Sequence, residues 1–516
     1  MILSMLIFLP FVGGILAWIA GSRNKPLSRW IALIFLFLQL LGLLSLKIGM
    51  PSGPGFFLEY NIPWIIPFGI NYHLGMDGLS FLLALLTSFL GIISVAASWK
   101  GIQERVGFYH FMLLWIITAI MGIFLSLDLF LFYFFWEMML IPLYFLIGIW
   151  GHENRIYAAL KFFIFTQASS LLMLLSILGF YFINAQTSGV YTFDYNIWVN
   201  SVIPTSTAIW LSLGFLAAFL VKLPAVPFHS WLPDAHTEAP TAGSIILAGL
   251  VLKVGAYGLL RFSLPLFPEA SKILAPWLMA LGVIGIVYGS LEAFGQTDFK
   301  RLVAFTSVSH MGFVLVGIYA GNLIALQGVV IVMLAHGITT GALFVLAGDL
   351  QDLIHTREMG QMGGLWSTIP RFAGISQLFA LASLGLPGLG NFVGEFLVLL
   401  GAYQANITIT VVATLGFIVS TVYALWMIQR VFHGPNRHNW KLPDISTRQA
   451  LILGSLIVLI VWLGLFPQGV INTARPALES IHQMTTEQTH SQTLPALADS
   501  SILEKSSSDP LFRSNP

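Results

Sequence analysis

The sequence predicts an all-α polytopic membrane protein of about fourteen transmembrane helices, ten of which form two inverted five-helix repeats with one broken helix each. Three observations predict it. The 516 residues are 57% hydrophobic and only 9% charged, against about one quarter charged in soluble domains, and the mean hydropathy is +0.86. Apolar runs of roughly 20 residues, the length that crosses a bilayer, recur along the chain with connections too short for a large soluble domain. Two of these runs carry a proline-centred interruption at corresponding places. Cysteine is absent, which excludes disulfides and thiolate-held iron–sulfur clusters. A net charge of +1 says little about partners.

The first run, 2–21, lacks the basic leader of a secretory signal and is long enough to span, so it is read as a retained helix. Further spans are expected near 29–47, 76–98, 107–126, 128–149, 156–184, 206–232, 241–262, 272–294, 300–319, 323–350, 370–403, 408–432 and 449–467. Basic residues test that count. Arg23, Arg29, Lys100, Arg155, Lys300, Arg301, Arg357, Arg371, Arg430 and Arg448 all fall at connections on one side, whereas the other has only Lys47, Arg261 and Lys272 before the tail. Positive charge marks the cytoplasmic face, which places both termini outside. From about 474 the chain turns rich in Ser, Thr and Gln, the composition of a segment that lies disordered or loosely over the surface.

"VKLPAVPF" (221–228) interrupts the seventh span and "LGLPGLGNF" (384–392) the twelfth. Aligning Leu223-Pro224 with Leu386-Pro387 brings "AYGLLRF" close to "YALWMIQRVF" at the end of the next span. Five helices per unit is an odd number, so the second unit enters from the opposite face. Broken helices in inverted repeats point to an ion site near the midplane, because backbone freed at that depth needs protein or water to satisfy it. The chain divides into 1–105 (three helices), 106–262 and 263–432 (the repeats), 433–473 (the last helix and its connection) and 474–516 (the polar tail).

Four charges sit inside spans or at their breaks: Glu137, Lys222, Lys253 and Glu395. At about 2.5–3.5 kcal/mol each at the centre of a bilayer, four unpaired charges cost roughly 10 kcal/mol, so they are paired or hydrated. Glu137 and Lys222 are the expected pair, a gate whose opening changes the lysine's proton affinity; simple helix packing for Glu137 and snorkelling for Lys222 are the alternatives. Lys253, near mid-span, is the candidate carrier. Glu395 lies about two turns past Pro387, where the break could solvate it. His310 and His336 are possible relays between Lys253 and Glu395, since imidazole accepts and donates near neutral pH; hydrogen-bonded structural roles or haem ligation are the competing readings. His229, Asp234, His236 and Glu238 suit a polar cytoplasmic approach to Lys222, and a metal site there lacks a preorganised geometry. Asp77 and Asp128 sit at span ends, where capping explains them.

"FFWEMMLIPLYFLIGIWGH", "VKLPAVPFHSWLPDAHTEAPTAGSIILAGLVLK", "GQTDFKRLVAFTSVSHMGFVL" and "LPGLGNFVGEF" together resemble the M-chain (chain 4) family of bacterial proton-translocating NADH:quinone oxidoreductase, respiratory complex I, over about 1–470. The resemblance implies a fourteen-helix antiporter-like subunit. On it Glu137 and Lys222 match the ion pair of the first half, Lys253 the central lysine, and His310 and His336 histidines of a hydrated axis. Glu395 matches a terminal acid where sister chains usually carry lysine. It further implies proton translocation with no redox centre in this chain, with FMN, iron–sulfur clusters, NADH and quinone bound by partner subunits. Those partners include L-type and N-type antiporter-like chains, with no nucleic acid, in a bacterial cytoplasmic (inner) membrane. Subunits of cation/proton antiporters and membrane-bound hydrogenases resemble the chain too, and sequence alone leaves sodium open.

Overall fold

The computed structural model describes residues 1–48, 53, 55–436 and 438–492; the end of the expected tail, 493–516, lies outside them. Among the described residues thirteen helices are long and apolar enough to cross a membrane, from Ile2–Gly21 to Thr447–Leu465. The expected span missing from these thirteen is the twelfth, which is broken. Its halves, Pro370–Ser383 and Gly390–Ala405, are each too short to cross alone. The seventh is broken as well: Thr205–Lys222 stops and the chain resumes as Trp231–Glu238. By alternation the chain meets the first break heading toward the arginine-rich face and the second heading away from it.

Lipid cannot satisfy the first amides of a helix, so side chains do. Asp77, Asp128, Asp298, Asn322, Asn406 and Ser446 each accept from an amide in the first turn of the helix that follows, as N-caps do. The connections then knit into two faces. On the arginine-rich face Arg29 donates to the Ile102 carbonyl, Trp150 to that of Glu104, and Arg448 to that of Ala96. On the other face the Tyr181 hydroxyl donates to the Phe68 carbonyl and Lys47 to the Thr473 hydroxyl.

Three elements depart from expectation. The connection between the second and third spans, for which no regular element was expected, carries an antiparallel hairpin of Leu58–Ile65 and Ile70–Met76, and the face it lies on is the hairpin face. The tail was expected to be loose from about 474, yet Gln468–Gln492 is a helix. Its Val470, Ala474, Ala477, Leu478 and Ile481 are buried, recurring at the i, i+4, i+7, i+8, i+11 spacing of one helical face; composition concealed that period. Arg261, expected at a connection, is buried against Asp77 in a short ion pair, so Asp77 both caps its helix and neutralises a charge.

Burial sorts the spans into a core and a ring. The apolar windows of Thr241–Leu266, Phe299–Tyr319 and Leu323–Ile354 are 100% buried, whereas those of Lys25–Lys47 and Thr447–Leu465 are 22% and 28% buried. Side chains on the three central helices are therefore held away from lipid, where a polar group is cheapest to keep.

Candidate functional site

Lys253 sits on the first of those central helices, fully buried. The helix is not uniform: Leu247–Val251 and Leu259–Ser263 are π-helical, on either side of the α-helical turn that carries the lysine. Such bulges disturb the carbonyl ladder and recur at functional sites. Here the Ala248 carbonyl lies 2.7 Å from Lys253 Nζ. The second neighbour of Nζ is His336 Nδ1, also at 2.7 Å. Small residues permit the contact: a Cβ on Gly337 would stand 3.0 Å from the Gly249 carbonyl, so the two helices close to a distance that larger residues forbid.

His310 and Glu395 form the next link. His310 Nδ1 lies 2.6 Å from Glu395 Oε1, both side chains being buried, and its Nε2 is 3.3 Å from the Ser383 hydroxyl. The second break makes room for them. Gly385 adopts φ +83°, and a Cβ there would come within 3.3 Å of Glu395 Oε2. The two imidazoles face each other at 5.3 Å between ring centroids, and His336 Nε2 has no hydrogen-bond partner among the described residues. Lys253, His336, His310 and Glu395 thus form one line with a single gap, between the rings.

The first half is built differently. Glu137 and Lys222, expected as a closed pair, make no direct ion pair among the described residues: Lys222 Nζ and Glu137 Oε1 have no hydrogen-bond partner. Lys222 is fully buried, which rules out snorkelling. Its ammonium instead lies 5.3 Å from the Trp136 ring centroid and 5.4 Å from that of Phe162, within the range of cation–π attraction. Trp136 adjoins Glu137, so the aromatic ring takes the place the carboxylate was expected to fill.

The polar stretch beyond the first break divides by role. Asp234 is held by Lys161 at 2.6 Å and Arg301 at 2.8 Å, and Glu238 accepts from the Asn154 amide at 2.8 Å. These two brace the arginine-rich face. His229 packs on Tyr288. His236 is buried, stacked on Phe344 at 4.7 Å, with neither ring nitrogen partnered among the described residues, so it lies in the core. Lys300, read from sequence as a basic residue at a connection, is buried, with Nζ 3.3 Å from His152 Nε2. Burial first, then the Lys300 and Arg357 charges, pushes His152 down to about 4, so at neutral pH it is an acceptor. A polar cavity of about 110 Å³ opens beside them, lined by Asp349 and Asp352. The lysine's place in the first turn of a buried span was the one signal for it.

Another cluster escaped the sequence reading. On the hairpin face His73 is buried with Nδ1 2.6 Å from Asp194 and Nε2 2.7 Å from Glu59, and Asp128 accepts from the Asn71 amide. No group of three or more metal-ligating side chains is arranged to hold an ion among the described residues.

Residues 126–421 match the transmembrane family described as NADH:quinone oxidoreductase/Mrp antiporter. NADH-quinone oxidoreductase subunit M of Pseudomonas aeruginosa is 52% identical over 499 residues, spanning 94% of this chain and 98% of the relative. The Escherichia coli subunit M is 49% identical over 500 residues with the same coverage of both chains. A chain of respiratory complex I from Thermus thermophilus, solved with bound NADH, superposes with a TM-score of 0.86 at 30% identity, covering 94% of this chain and all of that one. A chain of the Mrp complex from Dietzia shares the fold alone, at TM-score 0.82 and 21% identity.

Proposed function

The chain belongs to the NADH:quinone oxidoreductase/Mrp antiporter transmembrane family, and from that premise we propose how its residues carry protons. It is an antiporter-like membrane subunit of an NADH:quinone oxidoreductase that translocates protons, driven by NADH oxidation and quinone reduction in other subunits. Moving one proton against 100 mV requires about 2.3 kcal/mol. With no cysteine to hold a cluster, this chain receives that energy from partners carrying the FMN, iron–sulfur clusters, NADH and quinone.

The observation that carries the route is the pair of buried contacts Lys253–His336 and His310–Glu395, three of whose four members stand on wholly buried helices. A proton taken up from the arginine-rich face reaches the region of Lys222, where the nearby Glu137 carboxylate sets the lysine's readiness to hold it. His236, buried with both ring nitrogens unpartnered, is suited to carry it inward to Lys253. From there it passes to His336. The 5.3 Å between imidazoles is closed by a ring rotation or one bridging water, and His310 delivers the proton to Glu395 for release toward the hairpin face. Each donor is in turn an acceptor, as general acid–base relays require.

The two five-helix units, 106–262 and 263–432, are the halves of this path, each contributing one broken helix. Positive charge assigns the arginine-rich face to the cytoplasm, which puts both termini on the periplasmic side of a bacterial inner membrane. L-type and N-type antiporter-like chains are the expected neighbours. The decisive experiment is NADH-driven proton uptake by membranes in which the intact complex carries Lys253→Ala, with NADH oxidation followed in parallel. Proton transfer through this chain is expected to be lost while the complex still assembles. Pumping at the unaltered proton-to-NADH ratio overturns the route.

A further inference from the structure

An apolar groove of about 680 Å³ runs between Lys25–Lys47, Gly78–Ala97 and Thr447–Leu465 on the outer ring of spans. Its walls include Leu44, Leu82, Phe89, Val458 and Trp462, and along the last helix it reaches from Ala450 to Leu463, about 20 Å at 1.5 Å per residue. One leaflet of a roughly 30 Å hydrocarbon core is about 15 Å deep. A channel of that length on a membrane face therefore fits one acyl chain set parallel to the helices.

The groove does not end in lipid. A second, polar recess of about 310 Å³ lies toward the hairpin face, lined by Lys47, Gly78, Asn472 and Thr473 among others. Three residues of the groove lead into it one helical turn on: Leu44 to Lys47, Leu82 back to Gly78, and Val470 to Thr473. Residues three and four apart share a helix face, so the two spaces adjoin, one turn apart, along three helices at once. Among the described residues Lys47 is the one charged side chain lining either space, and its Nζ stands 2.7 Å from the Thr473 hydroxyl. Together these describe an amphiphile with an apolar tail and a negatively charged head.

We propose that this groove and recess bind one anionic phospholipid, its acyl chain between the second, third and last spans and its phosphate on Lys47 and Thr473. The helix Gln468–Gln492 is the lid of the recess: it supplies Asn472 and Thr473, and its carbonyl at Thr473 would meet a Cβ placed on Gly78. A bound lipid therefore ties that surface helix to the bundle. Gly454 is a built-in probe, because a Cβ added there meets nothing within 4 Å, so a bulky residue enters the groove without disturbing the fold.

The test reconstitutes the intact complex with phosphatidylglycerol bearing a diazirine in its acyl chain, and separately with the matched phosphatidylcholine. After photolysis, labelled peptides of this chain are read by mass spectrometry. Labelling within 450–463 is expected to favour phosphatidylglycerol about tenfold, the worth of one charge-assisted hydrogen bond. Lys47→Ala is expected to erase that preference, and Gly454→Phe to remove the label with NADH oxidation unchanged. Equal labelling by both lipids, or label undiminished in Gly454→Phe, overturns the proposal in favour of ordinary boundary lipid. Cross-links to a neighbouring subunit with no lipid label overturn it in favour of a protein seat. Should Gly454→Phe fail to assemble, Lys47→Ala, a change at an exposed side chain, decides by itself.

Discussion

The two halves of the buried line solve the same problem in opposite ways. In the second, His310 and Glu395 are within hydrogen-bond distance and His336 holds Lys253, so each charge has a polar neighbour. In the first, Lys222 is as deeply buried but has no hydrogen-bond partner among the described residues; it meets the faces of Trp136 and Phe162, with the Glu137 charge nearby but not in contact. A buried cation without a hydrogen bond is expensive, and cation–π contact returns about 2 kcal/mol or somewhat more when desolvated. In the route proposed above, the closed half serves as the wire and the open half as the gate, because the favourable partner of Lys222 changes with its charge.

Breaking the closed half should cost most. Glu395→Gln removes the charge from the His310 pair, and disrupting a buried pair costs about 3–5 kcal/mol; thermal unfolding of the assembled complex should show it, together with loss of proton transfer. Glu137→Gln breaks no direct ion pair with Lys222, so its stability cost is expected to be smaller than that of Glu395→Gln, with pumping still impaired. Equal destabilisation by the two substitutions would mean that the first half is closed after all. A smaller effect concerns the hairpin. Burial would lower the His73 pKa, but Asp194 and then Glu59 more than offset it, and the net shift is upward from 6.5. The stabilisation that charged His73 gives the hairpin through Asp194 and Glu59 is therefore fully present below pH about 6.5 and is lost as pH rises through the raised folded value. Amide protection factors of 58–76, with the intrinsic base-catalysed rate divided out, should therefore fall as pH rises through that window, and His73→Gln should abolish that fall. Smallest in its effect on pumping is Ser383→Ala, which takes a 3.3 Å contact from His310 and should cost about 0.5–1.5 kcal/mol of stability, leaving pumping within about twofold of the parent.

Much of the scaffold could be read from residues alone. The breaks at "VKLPAVPF" and "LGLPGLGNF" fall where Thr205–Lys222 and Pro370–Ser383 end, because proline removes an amide and forces the chain out of the helix wherever it stands. Lys253, His310, His336 and Glu395 were likewise conspicuous, since a polar residue amid apolar ones signals its cost locally. The helix Gln468–Gln492 was hidden by its composition and the hairpin by its polar connection. Lys300 stands at the span end where it was expected, but its burial beside His152 is a product of packing between segments that a local pattern does not record.

The sequence by itself determined the number of spans, the two faces, the two breaks and the identity of most buried ionisable groups, all of which depend on residues near one another in the chain. Tertiary structure alone decided which of those groups meet. Lys253 finds His336 across 83 residues and His310 finds Glu395 across 85, while Glu137 and Lys222 do not close. Each residue turns a helix by about 100°, so a contact between spans depends on the rotation and approach of both helices. Here that approach was set by Gly249 and Gly337 at one crossing and by the π-helical turns around Lys253, neither of which a hydropathy pattern records.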